Sequence, residues 1–290
     1  MINNMKRGRK IQRLFFPGDN WMFLRIYVGK VSGERILVQK IYPFLKKLIN
    51  KGFVSDWFFI RYSDPNFHIR IRLRVIMQER WMEILSSFNR LLYPFYEDKS
   101  IYRVEIGTYE REIERYGVKN MECSELIFYR DSDCVCRIIH EINEDDNLRW
   151  MIALKMIDGF LNVTGCDIIL KCHYLSLLNV AYKKEFGYDK YNSKQLNELY
   201  RNHKKIIEQV LDENHGNILP SKVLSIIEER NRGLVDILKE CDKKTLNVLS
   251  YIHMTMNRLF VSDNRTYELL IYNFLYRYYN SVKARTLINK

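Results

Sequence analysis

In the first third of the chain, apolar positions come in short runs separated by turn residues, which is the signature of strands. WMFLRIYVG (21–29) is one such run. GERILVQKIYPFLKKLINKGF follows with the spacing of a helix closed by Gly52. VSDWFFIRY predicts a second strand, and SDPN a turn in which Asp64, Pro65 and Asn66 suit type I geometry. FHIRIRLRV predicts a third strand, paired with the second as a hairpin. A helix over roughly 77–94 and a strand over 100–109 complete the series. The order strand-helix-strand-strand-helix-strand is the ferredoxin-like pattern. From about residue 121 the period changes to that of helices, as in LRWMIALKMIDGFLNV, KTLNVLSYIHMTMNRLF and RTYELLIYNFLYRYYNSV. The predicted fold class is therefore α+β, a ferredoxin-like N-terminal half packed with a helical C-terminal half. No Gly- or Pro-rich linker separates the halves, so 21–290 reads as a single domain, with 21–120 its sheet-containing half and 121–290 mainly helical.

The third strand is unusual. Read with a period of two, His68, Arg70, Arg72 and Arg74 share one face, and Ile69, Ile71, Leu73 and Val75 the other. Cations in a row repel one another, so such a face implies either solvent or an anionic ligand. With residues 63–66 as the loop, Arg61 pairs with His68, Phe59 with Arg70 and Trp57 with Arg72. Aromatic rings interleaved with guanidinium groups favour the floor of a covered anion-binding pocket over a wet surface.

Composition narrows the classes. The net charge is +12, with 47 Lys and Arg against 35 Asp and Glu, and 47% of residues are hydrophobic. That is the composition of a globular protein, and its basic balance suits nucleic acid, acidic lipid, an anionic substrate or partner, or no more than a Lys-rich codon habit. No apolar run approaches the roughly 20 residues of a membrane span, and the basic start MINNMKRGRK leads into no apolar signal segment. Residues 1–20 read as a basic N-terminal arm. The six cysteines include no C-x-x-C pair, so reduced thiols in a cytoplasmic protein are expected, with no metal and no cofactor. An RNA-binding module is a possible alternative for a basic ferredoxin-like fold. HIRIRLRV, however, carries neither the Gly nor the aromatics that an RNP1 strand needs.

WFFIRYSDPNFHIRIRLR resembles the hallmark of the C-terminal domain of lantibiotic dehydratases, shared with stand-alone thiopeptide-type bacteriocin biosynthesis proteins. GTYEREIERYG (107–117), SELIFYRDSDCV (124–135) and SYIHMTMNRLF (250–260) resemble three further blocks of that family, in the same order. The resemblance implies a glutamate-eliminating lyase. A separate glutamyl-tRNA-dependent protein would glutamylate Ser and Thr of a ribosomal precursor peptide. This chain would then β-eliminate the glutamate to leave dehydroalanine or dehydrobutyrine. A cyclase is a further implied partner, and neither direct nucleic-acid binding nor a membrane span is expected.

Elimination needs a base for the Cα proton, stabilisation of the enolate, and help for the departing glutamate. Its ester carbonyl and free carboxylate suit bidentate arginine. The resemblance assigns catalytic roles to Arg70, Arg72, Glu112, Arg115 and His253. His68, Arg61 and Asn257 are weaker, substrate-binding expectations. Asn257, four residues after His253 on the same helix face, is expected to hydrogen-bond the imidazole. Two positions depart from the family pattern: Val118 follows Gly117 where a second Gly is common, and Thr255 replaces a common His. The rival enzyme reading is a pyridine synthase-like [4+2] cyclase, and the remote one a non-catalytic peptide- or RNA-binding scaffold.

Overall fold

The structure, a computed structural model, describes residues 11–143, 145–187, 190–212 and 218–288. In chain order the N-terminal half contains β1 (Leu14–Phe15), β2 (Trp21–Val28), α1 (Lys30–Ile36), a π-helical segment (Leu37–Ile41) and α2 (Tyr42–Asn50). Then come β3 (Val54–Tyr62), β4 (His68–Val75), α3 (Trp81–Glu97), β5 (Ile101–Gly107), β6 (Tyr109–Glu110) and α4 (Ile113–Tyr116). The helical half is α5 (Met121–Ile142), α6 (Arg149–Val163), α7 (Ile168–Glu185), α8 (Lys190–Leu211), α9 (Ser221–Glu240), α10 (Val248–Leu259) and α11 (Asn264–Ile288).

The four-stranded sheet has the order β3-β4-β2-β5 with antiparallel neighbours, the ferredoxin-like arrangement that the element order predicts. Helices α1 to α3 cover one face. Gly33 in α1 comes so close that a Cβ there would lie 2.7 Å from Val28 Cγ1 and 3.2 Å from Ile69 Cδ1. Tyr42 of α2 packs on Trp57, and Phe44 packs edge-on against Phe88 of α3 at 4.9 Å. Residues 1–10 of the basic arm lie outside the described residues. Leu14–Phe15, within the arm's expected span, pair with Tyr109–Glu110, and Phe15 is buried.

Register is where sequence and structure part. The hairpin turn takes five residues, Ser63–Phe67, so Tyr62 pairs with His68, Ile60 with Arg70 and Phe58 with Arg72. A shift of one residue turns a strand over. Trp57, Phe59 and Arg61 thus lie on the helix-covered face, and Phe58, Ile60 and Tyr62 accompany the basic row. Because β3 is aromatic on both faces, the mixed aromatic–cationic character survives with different residues.

The helical half grips the sheet along the outer edge of β3. An edge strand leaves alternate N–H and C=O groups unpaired. Here Phe59 N–H donates to Ser132 Oγ of α5 at 3.2 Å, and Arg258 Nε of α10 donates to the Phe59 carbonyl at 2.9 Å. Asn257 accepts from Arg61 N–H and donates to the Arg61 carbonyl, both at 2.9 Å. Asn257 therefore substitutes for a neighbouring strand and does not bind His253. Arg61 is buried and pairs with Glu34 at 2.6 Å, a carboxylate also held by Arg149. Its charge is internally compensated, which corrects its expected place beside His68. Arg258 and Arg230 share Asp131, to which Thr255 also donates at 3.1 Å, so the hydroxyl at this departing position is structural.

Candidate functional site

The face of the sheet away from α1–α3 carries the basic row, and its cations are not equivalent. Arg74 is held by Glu125 at 2.9 Å and by Asp56 at 3.7 Å, over the Trp21 ring. Arg111 grips the same fully buried Glu125 in bidentate fashion, at 2.7 and 2.6 Å, and Tyr109 also donates to it. Arg25 pairs with Glu105 at 3.3 Å. Among the described residues, no carboxylate lies within ion-pairing reach of Arg70 or Arg72.

Arg70 is aimed by His68. The Arg70 Nε donates to His68 Nε2 at 2.9 Å, and His68 Nδ1 lies 2.8 Å from the Asn66 carbonyl. Arginine only donates, so Nε2 must be the acceptor and Nδ1 must carry the proton. Burial first, and then the Arg70 and Arg25 charges, hold the His68 pKa below its ordinary value, consistent with a neutral ring. The Arg70 guanidinium lies 3.5 Å from the Tyr62 ring centre.

Arg72 is 8% exposed and is ringed by Phe23 at 4.5 Å, Tyr109 at 5.0 Å and Phe58 at 5.3 Å. It donates no hydrogen bond to any described residue, and its Nε is buried without an acceptor. Burial pushes its pKa down to about 10, with Arg70 contributing in the same direction, yet it remains charged at neutral pH. A buried cation without a counterion is a costly arrangement. Three rings compensate part of that cost, and an anionic ligand would compensate the rest.

Across from this row, α4 and α10 contribute the remaining groups. Glu112 precedes α4, and Arg115 lies within it. The turn after Arg115 is made by Gly117 at a φ of 79°, where Gly avoids the strain of a side chain. Arg115 Nε donates to Ser250 Oγ at 2.9 Å, its Nη1 meets Glu112 at 3.3 Å, and Asn247 donates to its carbonyl at 3.0 Å. Ser250 and His253 are three apart on α10 and so share a face. His253 Nδ1 bonds Glu268 Oε1 of α11 at 2.6 Å, and the side chain is one-third exposed. The buried Tyr116 lies within the field of Arg115, Glu112, Arg258 and Arg72 together, and its phenol is pushed up to about 12, chiefly by burial. Glu112 also acts electrostatically on Arg72.

The structure thus brings Arg70, Arg72, Glu112 and Arg115 into one neighbourhood, with His253 one helical turn along α10 from the serine that holds Arg115. His68 is present as the support of Arg70. Sequence reasoning missed Arg111, Glu125, Ser250 and Glu268. Ser250 was accessible from its spacing to His253, and Arg111 from its alternation with Tyr109. Glu268 stands as a lone acid in the apolar run YELLIY, the pattern of a buried polar group that needs partners.

The chain is similar to several known proteins. Nisin biosynthesis protein NisB of Lactococcus lactis subsp. lactis is 28% identical over 290 aligned residues, covering 89% of this chain and 27% of that protein. Subtilin biosynthesis protein SpaB of Bacillus subtilis is 26% identical, covering 90% of this chain and 26% of that protein. The chain therefore spans about a quarter of the length of these curated relatives. The crystal structure of the tRNA dependent lantibiotic dehydratase MibB from Microbispora sp. 107891 matches with a TM-score of 0.69 at 18% identity, over 92% of this chain and 29% of that one. The pyridine synthase TbtD from thiomuracin biosynthesis matches with a TM-score of 0.57 at 11% identity, over 91% of this chain and 98% of that one. At such identities these two likenesses concern the fold. The family described as lantibiotic biosynthesis dehydratase C-term matches residues 21–279, and the chain belongs to that family.

Proposed function

We propose that this chain removes glutamate from glutamylated Ser and Thr side chains of a precursor peptide, leaving dehydroalanine or dehydrobutyrine. The observation that carries the reading is Arg72, a buried guanidinium on an aromatic floor with no carboxylate partner among the described residues. A glutamyl group transferred from an aminoacyl-tRNA is esterified through its α-carbonyl, so its side-chain carboxylate is free to meet a guanidinium. Arg72 and Arg70, two residues apart on β4, bracket the adduct. Arg115, oriented by Ser250 and Glu112, lies opposite.

In the elimination, the Cα proton passes to a base and its electron pair forms the Cα=Cβ bond. The Cβ–O bond breaks, and glutamate leaves as a carboxylate. The arginines stabilise charge as it develops on the peptide carbonyl and on the leaving group. His253, with Nδ1 occupied by Glu268, presents Nε2 for the proton transfer. The substrate would come from a separate glutamylation protein in the cytoplasm, where glutamyl-tRNA is available. The six cysteines are free, and no helix among the described residues is long and apolar enough to cross a membrane.

The test is to give the purified chain a synthetic peptide with a glutamylated Ser and follow its mass. Loss of glutamate with the leader intact is expected, abolished in Arg70→Ala and His253→Ala variants that retain a native circular dichroism spectrum. Loss of the leader with a new pyridine chromophore would replace this reading by cycloaddition. No reaction, together with salt-sensitive RNA binding, would overturn both enzyme readings.

A further inference from the structure

Glu268 has no part in the row of arginines, yet it is the most heavily engaged carboxylate near His253. It is completely buried on α11. Its Oε2 accepts from Arg265 at 3.1 Å and its Oε1 from Tyr272 at 3.0 Å, donors three residues before and four residues after it on the same helix. Arg265 is itself anchored by Glu185 and Tyr182 of α7. A buried carboxylate needs partners, and these two donors already supply them. The bond to His253 is a third, at 2.6 Å, reaching from α11 to α10. Stacking of Phe260 on Tyr267, with ring centres 4.2 Å apart, fixes the connection between these helices.

We infer that Glu268 is the positioning residue of the reaction: it holds His253 in the Nδ1–H tautomer and aims Nε2 at the substrate. A carboxylate can only accept, so the proton of a neutral His253 must lie on Nδ1 and the free lone pair on Nε2. When Nε2 takes a proton, the resulting imidazolium faces a charge already fixed in place, with no solvent reorganisation required. Arg265 pairs with the other oxygen of Glu268, and Tyr272 fixes the oxygen that His253 uses. The inference rests on the reading of His253 as the proton-transfer group.

The experiment compares wild type with Glu268→Gln and His253→Ala. It uses the glutamylated peptide under steady-state conditions and ¹⁵N NMR of histidine-labelled protein. Glu268→Gln keeps the shape of the site but removes the charge. It is expected to lower kcat on the order of 100-fold with KM little changed, and to convert the His253 ring from a single Nδ1–H tautomer to a mixture. An Nε2–H tautomer in the wild type would overturn the inference without recourse to any variant. Wild-type kcat in Glu268→Gln, with His253→Ala inactive, would overturn it and leave the role of His253 standing. Elimination that survives His253→Ala would remove the underlying reading itself.

Discussion

Arg72→Met should make the protein more stable and inactive. In the folded protein the Arg72 guanidinium is stripped of water, and its pKa falls from the ordinary 12.5 to about 10. At 1.36 kcal/mol per pKa unit, that is a folding penalty on the order of 3 kcal/mol. Against it stands stacking on Phe23, Phe58 and Tyr109, which an unbranched thioether replaces only in part, a loss of about 1–2 kcal/mol. The balance is a gain of about 1–2 kcal/mol, or roughly 2–6 °C in Tm for a chain of this size. Replacement of buried ions by apolar groups has this sign in general. Activity goes the other way, because the anion site is gone: elimination of the glutamylated peptide should fall at least about 100-fold. Urea unfolding at pH 7.5 gives the first quantity and peptide mass spectrometry the second. A variant destabilised by 1 kcal/mol or more would refute the reasoning, because Arg72 would then be holding the fold together. So would a variant of normal activity, because the unpaired cation would then serve no ligand.

Arg111→Met should do the opposite and cost about 3 kcal/mol, read as a lower urea midpoint, since Glu125 stays buried with only Arg74 and Tyr109 to hold it. Asn257→Ala should lower Tm by the equivalent of about 2 kcal/mol through the two unpaired groups of Arg61, while kcat measured well below the transition stays within a few-fold; total loss of activity in folded protein would contradict the edge-capping role. His68 binds its proton less readily folded than unfolded, so its contribution to stability is complete above about pH 6.5 and is lost as pH falls from there through the lower folded pKa. Elimination should fall over the same window, because a protonated Nε2 cannot accept from Arg70, and His68→Gln, which keeps an acceptor, should remove that acid limb from both profiles.

The ferredoxin-like order was legible because each element announces itself locally, through period, Gly52 and the SDPN turn. The pairing of β3 with β4 was not, since it hangs on whether Phe67 belongs to the turn or to the strand. Phe67 is apolar either way, and its ring packs near Gly33, a contact remote in sequence. The cationic row could be read from alternation alone. The distinction between Arg72 and Arg74 lies entirely in where Glu125 and Asp56 sit, and nothing in a single sequence ties those acids to position 74. The same limit explains Asn257. Its spacing to His253 made a local bond plausible, but the backbone of β3 and the carboxylate of Glu268 were better partners for the two side chains.

The clasp on β3 has a geometric consequence. It grips main chain, so it is indifferent to which side chains β3 carries. From Asn257 to His253 is four residues, about 6 Å of helix rise, and from β3 to the arginines of β4 is one strand spacing, about 4.8 Å. Both lengths are set by covalent geometry and backbone hydrogen bonding, not by side-chain packing. The separation of the histidine from the arginines is thus gauged by a jig built of peptide units. The half-buried Ile60, which shares the face of the arginines but holds no guanidinium, can drift in size and polarity while the spacing of the histidine and the arginines stays constant.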